Sequence, residues 1–382
     1  MRILIEFLIR QTCFTYVEMS VGVAGEDAPR VCIRSRMAYP KGQDPLHEGT
    51  PKWVEDQEKN RKNGEILYEQ VIDRGIPLDW LLLEQIWTQT FLNNDLGMAK
   101  PKEHLVLVTE PLRQPHATRI RVAEIMMKTF EFSGMYFCKQ PVLALFGTGR
   151  TSGCVLESGH HLTYAVPIVD GYVVDHAVRE VPVAGKHISH YLMQLYYDKC
   201  ETKAFSTSEQ EEEFFRDIKE SFCYVSLDWR EEVNRNTSRI KRWYEHADGN
   251  VSVFGEERIR CPEILFDPSL WKEEYEHHKG LSDCCYEAIK NCGDDSTQAL
   301  MFENICLTGG NTLFPGMRER VQHDVSRLVS ASIRVQVTAS EERKYSTWLG
   351  GSALAILEGF QPYWVSRDVF DVQGPSALDL TF

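Results

Sequence analysis

The chain has 382 residues, 43% of them hydrophobic and 26% charged, which suits two or three domains with cores of their own and excludes a largely disordered protein. Its formal net charge of -14 repels phosphate backbones and argues against sequence-independent binding to nucleic acid. Eleven cysteines, an odd number scattered through a long chain, read as free thiols in a reducing compartment rather than as a disulfide framework.

In chain order, Met1–Arg10 (MRILIEFLIR) is apolar but broken by Glu6, with no small-residue cleavage site after it. A buried strand is expected there, not an export signal. No apolar run approaches the ~20 residues of a membrane helix. The stretch from Ala38 to Lys62 is rich in Pro, Gly and charge and reads as an excursion. Strands are predicted at His104–Thr109, Gly153–Leu156, Leu162–Ile168, Ile305–Thr308 and Ile333–Val337, short apolar runs bounded by Gly and Pro. Helical spacing places Ile120, Ile125 and Met126 near one face of His116–Phe130, and Met317, Val321, Val325 and Leu328 along Pro315–Leu328. Pro315 suits a first helical turn. Ser208–Phe222 opens with a capping-box pattern, SEQE. Alternating strands and helices predict an α/β fold. Cys284, Cys285 and Cys292, near His277 and His278, lack CxxC or HxxxH spacing and are not expected to bind metal.

Two glycine turns carry the functional signal. In Phe146–Gly159 (FGTGRTSGCVLESG) a strand runs into Glu157-Ser158-Gly159, and a second strand follows. A glycine there lets backbone N–H groups approach an anion, and a carboxylate at the strand end can hold a divalent cation through water. The other reading is a plain hairpin turn. The second turn is Leu307-Thr308-Gly309-Gly310-Asn311, where backbone can approach a flat ligand or simply connect strand to helix. Gly147 and Gly149 hint at a dinucleotide fingerprint and at an oxidoreductase, but Ser152 stands where its third glycine belongs.

Together these segments resemble actin and its relatives. FGTGRTSGCVLESG is similar to the family's second phosphate-binding hairpin, and AVPIVDGY and VAGKHISHYL follow at the family's spacing. RDIKESFCYVSLD resembles the helix beside the adenosine, ICLTGGNTLFPGMRERV the adenosine loop, and ERKYSTWLGGSALAILEGFQPYWVSRDVF the C-terminal segment. VAGEDAPR near the start matches as well, so the likeness covers nearly the whole chain, with conventional actin and centractin-like subunits nearest. The resemblance implies two related α/β lobes of the actin, sugar-kinase and heat-shock-ATPase type, with ATP or ADP and Mg²⁺ in a cleft between them. The implied lobes are 1–147 plus 346–382, with an accessory subdomain at about 35–72, and 148–345, with one at about 184–275. Carried over by position, the nucleotide-binding residues are Glu157, Ser158, Gly159, Gly185, Arg216, Lys219, Glu220, Gly309, Gly310, Phe314 and Lys344. Glu157 is the weak metal position, acting through water, and Gln140 the water-positioning catalytic residue.

The departures from the family fall on one step. Its first phosphate loop reads like DNGSG, whereas Cys13–Val17 reads CFTYV, with neither glycine nor carboxylate, and the following lysine is Ser20. An aspartate of the second hairpin is Glu157, an acidic position is His160, a glycine is His161, and the water-positioning histidine is Tyr164. Phosphoryl transfer needs positioned water, cation and phosphate together, so at most a weak ATPase is expected.

For assembly, the family's apolar plug corresponds to Lys272–Gly280 (KEEYEHHKG), a charged run whose burial between protomers is costly. A conventional homopolymer is therefore not expected. The groove that receives partner helices is better kept, at Phe146, Gly149, Thr151, Gly171, Leu349, Leu354, Leu357 and Tyr363, though these residues can equally be core. The sequence thus reads as an actin-related subunit of a cytoskeletal or other complex, cytoplasmic, with weak or structural ATP binding and no direct nucleic-acid or membrane contact. The alternatives are an active filament-forming ATPase and a nuclear subunit of a chromatin-remodelling complex.

Overall fold

The structure, a computed structural model, describes residues 2–11, 17–34, 36–40, 66–73, 76–92, 101–199, 208–235, 239–246 and 249–378. The first phosphate-loop position, 13–16, and most of the Ala38–Lys62 excursion lie outside them. The chain divides into two compact units, one drawn from Met1–Arg10, Tyr16–Gly149 and Tyr345–Phe382, the other from Gln11–Thr15 and Arg150–Lys344. The sequence placed these boundaries at 147/148 and 345/346.

The first unit is built on β1 (Arg2–Gln11), β2 (Val17–Val23) and β3 (Val31–Arg34). Two small antiparallel pairs follow, β4 (Arg36–Pro40) with β5 (Ile66–Gln70), and β6 (Ile72–Asp73) with β7 (Ile76–Pro77). Then come β8 (Leu105–Glu110) and β9 (Gly134–Lys139). The main sheet runs Val365–Ser366, β9, β8, β1, β2, β3. β8 lies parallel to both β1 and β9. Such inner parallel strands are covered on both faces, which is why LVLV and MYFC read as unbroken apolar runs. Asp79 caps the helix Trp80–Leu92, accepting bonds from the N–H groups of Leu81 and Leu82 at 2.8 and 3.0 Å. That helix buries Trp87 and Phe91, and Phe91 meets the edges of Phe130 and Phe132.

The predicted helix His116–Phe130 has two parts. An α-helix spans His116–Glu124 and a π-helical turn Ile125–Thr129. The wider turn, with Phe130 N–H donating to Ile125 O at 3.0 Å, rotates the apolar face. Ile125, Met126 and Met127 are buried in sequence, while Ile120 stays half-buried.

The second unit holds β10 (Gly153–Ser158), β11 (Thr163–Val169), β12 (Tyr172–Val173), β13 (Arg179–Val181), the hairpin β14 (Arg242–Glu245) with β15 (Val251–Phe254), β16 (Ile305–Thr308) and β17 (Val337–Thr338). Its sheet runs β12, β11, β10, β16, β17, with β13 also paired to β11. With β13 set aside, the second unit's strands read third, second, first, fourth, fifth in chain order, as do the first five strands of the first unit's six-stranded sheet. No residue-level repeat in the sequence discloses this shared strand order. The helices Gly185–Tyr197, Leu281–Lys290 and Met317–Leu328 bury their apolar faces in the unit's core.

Three expectations are corrected. The strand predicted at Ile333–Val337 shrinks to Val337–Thr338, because the Gln322 amide takes over its backbone partners, donating to Val335 O and accepting from Val337 N–H. Pro315 does not open its helix. It precedes Gly316, the N-terminal cap at φ 84°, whose added Cβ would lie 2.1 Å from Val225 O. Leu328, placed on the apolar face by spacing, is 41% exposed at the end of the helix.

Glycine also decides one helix contact in the first unit. An added Cβ on Gly350, in the helix Ser346–Ile356, would sit 1.7 Å from Leu143 O in the helix Gln140–Phe146. Gly350→Ala is expected to destabilise the chain by about 1–3 kcal/mol or more, the usual penalty of overpacking. Gly359→Ala, with nothing within 4 Å of its new methyl, should stay within about 0.5 kcal/mol of the parent. Urea denaturation of the two variants checks the contrast.

Candidate functional site

The two glycine turns meet inside the second unit. β10 and β16 run parallel, with Glu157 beside Thr308, so both strands end at the same level. After Ser158 the chain turns through Gly159-His160-His161-Leu162 into β11, closed by Gly159 N–H to Leu162 O at 2.9 Å and by a buried 3.0 Å bond between the Ser158 and Thr163 hydroxyls. After Thr308 the chain turns at Gly309, φ 88°, into the 3₁₀ helix Gly310–Leu313. The approach is so close that a Cβ on Gly309 would lie 2.3 Å from Ser158 O.

Asn311 ties the turns together. Its buried amide Nδ2 donates to Gly159 O at 2.5 Å and to Ser158 Oγ at 3.1 Å. The N-terminus of the helix Gly185–Tyr197 docks on the same turn, with Gly185 N–H to Gly159 O at 2.6 Å and Lys186 N–H to His160 O at 2.8 Å. Lys219, fully buried on the helix Ser208–Phe222, donates from Nζ to Gly185 O at 3.1 Å. Ser158, Gly159, Gly185, Lys219, Gly309 and Gly310 are therefore gathered around one point.

The other positions are more varied. Arg216 lies one turn earlier on the Lys219 helix and pairs with Glu213 and Asp217, and Glu220 is exposed on that helix. Phe314 is packed in the apolar core. Lys344 sits in the 3₁₀ turn Arg343–Tyr345. It is Arg343 that reaches the glycine loop, donating from Nη2 to Thr312 O at 2.9 Å. Asn311 and Arg343 were missed as site residues, although an Asn directly after a Gly-Gly turn is a usable signal for a side chain that bonds backbone.

Titratable groups at the turn are unusual. Glu157 pairs across β10 and β11 with Tyr164. The residue is half-buried, and desolvation of its carboxyl pushes it up to about 7. His160 is 6% exposed, its ring lies edge-on to His161 with centroids 4.4 Å apart, and its Nδ1 has no hydrogen-bond partner. Burial holds the His160 imidazole well below the usual histidine range, and His161, Lys219, Lys186 and His190 press it further down. His187, whose Nδ1 accepts from Ala184 N–H at 2.9 Å, is lowered to about 4, by burial first and then by His190 and Lys186.

These donors do not suit Mg²⁺. That ion demands oxygen ligands in near-octahedral geometry. The turn offers one carboxyl, held partly protonated near neutrality, and two imidazoles. Among the described residues no group of three His, Cys, Asp or Glu side chains is placed to hold a metal ion.

The remaining candidates fall on the two units. Gln140 is buried at the start of the helix Gln140–Phe146 in the first unit. Of the groove residues, Phe146, Gly149, Leu349, Leu354, Leu357 and Tyr363 belong to the first unit and Thr151 and Gly171 to the second. Leu354 is buried, as its core reading required, whereas Leu357 and Tyr363 are each 50% exposed.

The mixed α/β architecture, the shared strand order and the paired glycine turns define a class that the comparison with known families makes specific. The family model described as Actin matches residues 16–382. The chain belongs to the actin family and has the actin-type fold, an actin or actin-related protein in a family that generally binds ATP or ADP with a divalent metal.

Two outcomes test the site. Asn311→Ala leaves the buried Gly159 carbonyl with one donor fewer and the Ser158 hydroxyl without its amide, and should cost about 1–3 kcal/mol in urea denaturation. Glu157 binds its proton more tightly when folded than unfolded. The stability it contributes is thus complete below the ordinary glutamate range and is lost as pH rises towards about 7. Glu157→Gln should therefore gain on the parent by about 1–3 kcal/mol between about pH 5 and about pH 8. A difference that does not change with pH would refute the assignment.

Proposed function

We propose that the chain is an actin-related assembly subunit that holds an adenine nucleotide weakly, as a structural ligand, and hydrolyses it slowly. One observation carries this reading. The clamp from Asn311 to Gly159 and Ser158 keeps the turn and the glycine loop in place, while the turn itself presents His160, His161 and the Glu157–Tyr164 pair. The binding scaffold is retained and the groups that would hold cation and water are changed. Gln140 retains the family's water-positioning residue type, but by itself it supplies neither cation nor base.

The surface supports an assembly role without self-polymerisation. Lys272, Glu273, Glu274, Glu276, His277, His278 and Lys279 are all exposed on the second unit, so contact there would bury charge. On the first unit Ile356, Leu357, Tyr363 and Val372 are exposed by half or more, an apolar set suited to the helix of another subunit. Such a subunit would work in the cytoplasm, with the cytoskeleton. The assignment involves no membrane or nucleic acid.

Turnover of ATP measured beside conventional actin tests the reading. Loss of even one stabilising donor typically lowers turnover by about 10²–10³-fold, so a rate at least about 100-fold below that of actin is expected. A comparable rate would overturn the proposal in favour of an active filament-forming ATPase. Sedimentation under salt conditions that polymerise actin should leave the protein in the supernatant, and a pelleted polymer would contradict that.

A further inference from the structure

Among the described residues the hairpin of β14 and β15 is a two-stranded sheet with no third strand. Its inner side is packed, with Phe254 buried and Tyr244 meeting the edge of Phe214. Its outer side is bare. Successive residues of a strand point to opposite faces, so Lys241, Trp243 and Glu245 share the outer face with Val251 and Val253. All five are exposed, Trp243 by 63%. Lys241 and Glu245 make no ion pair among the described residues. An open strand edge beside an apolar face is a template for pairing with another strand.

Hydrogen-bond alternation decides which backbone groups this edge offers. His246 N–H donates to Asn250 O at 2.8 Å where the hairpin closes. Bonded and non-bonded pairs alternate along an antiparallel ladder. Tyr244 lies opposite Ser252 and Arg242 opposite Phe254, so these are the residues of β14 that bond inward to β15. The N–H and C=O groups of Lys241, Trp243 and Glu245 therefore point to the free edge. Lys241 O also accepts from Arg242 Nη1 at 3.2 Å, which leaves it a second lone pair.

The sequence along the edge, Lys241-Arg242-Trp243-Tyr244-Glu245, is complementary to itself when reversed. Two copies paired antiparallel can share a two-fold axis at any of these residues. An axis at Lys241, Arg242 or Glu245 sets that charge against its own copy, which is destabilising. An axis at Tyr244 sets the Glu245 carboxylate against the Trp243 indole. An axis at Trp243 alone sets indole against indole and, twice over, Lys241 against Glu245, and it brings the outward N–H and C=O groups of all three residues face to face. We propose that a second copy of this chain docks on this edge, β14 against β14 in the register centred on Trp243, joining two hairpins into a four-stranded sheet. The same patch is used on both copies, so the contact closes as a dimer and does not propagate into a filament. It is smaller than the roughly 800 Å² per partner of a standard interface, so the dimer is reversible. It does not depend on nucleotide.

Sedimentation equilibrium of the full chain, up to about 200 µM as suits an interface below standard size, should show the mass rising from monomer towards dimer. Lys241→Glu and Glu245→Lys alter exposed side chains that make no ion pair, so the fold stays intact. Each variant alone sets two pairs of like charges opposite each other and should dimerise at least about tenfold more weakly. Mixed in equal amounts, the two variants should pair with each other, and the chain carrying both changes should dimerise within about threefold of the parent. The N–H groups of Trp243 and Glu245 should gain protection from hydrogen exchange as the dimer fills. A chain that stays monomeric up to about 200 µM overturns the proposal and leaves the edge to a strand of a different protein. A dimer that both single variants form as tightly as the parent overturns it too, and places the contact elsewhere, such as the apolar set around Leu357.

Discussion

The geometry of the second unit depends on one buried amide. Asn311 bonds the carbonyl of Gly159 and the hydroxyl of Ser158, joining the ends of β10 and β16, which are neighbours in the sheet but about 150 residues apart in sequence. Buried amide donors and acceptors left unpaired cost about 1–3 kcal/mol each, so the turn and the glycine loop hold each other in place. The close approach also explains Gly309. A side chain there would run into the Ser158 carbonyl, so this glycine is required by the packing of the two turns before any ligand is considered.

Around this clamp the charge distribution runs against the rest of the molecule. The chain is acidic overall, yet Lys186, Lys219, His161 and His190 all act on the buried His160 and help to hold its imidazole neutral. Elsewhere in the same unit buried charges are paired, as Arg320 is with Glu263 at 2.7 Å and with Asp324 at 2.8 Å. Removing one partner from such a pair is costly because the other remains buried. At the end of β10 desolvation keeps Glu157 partly protonated near neutrality, which weakens it as a ligand for a hard cation.

The two units solve the same packing problem by the same route. In each, the first main-sheet strand takes the middle of the sheet, with hairpin strands on one side and later strands, reached through helices, on the other. Parallel strands need helical crossovers, and covering both faces makes the inner strands apolar throughout. The aromatic set around Phe91 belongs to the first unit's core, and the set around Tyr196, Phe214, Phe215 and Phe254 to the second's.

The sequence by itself determined the α/β class, because short apolar runs alternating with helical periodicity admit few other architectures. Ile305–Thr308 and the helix Ser208–Phe222 could be bounded from local pattern alone, since both are closed by residues that act locally. Its motifs also picked out both glycine turns and the histidines at 160 and 161. Elements shaped by long-range partners were not legible. Gln322 displaced most of the strand predicted at Ile333–Val337, and a π-helical turn shifted the face that carries Ile125. Only the tertiary structure decided that Asn311 is the tie between the turns, that Phe314 is core, and that lysines from two other helices gather at His160. The reason is physical. Backbone preference and apolar spacing act over a few residues and are written in the local sequence. Burial, field and hydrogen-bond partnership depend on which distant segments the fold brings together.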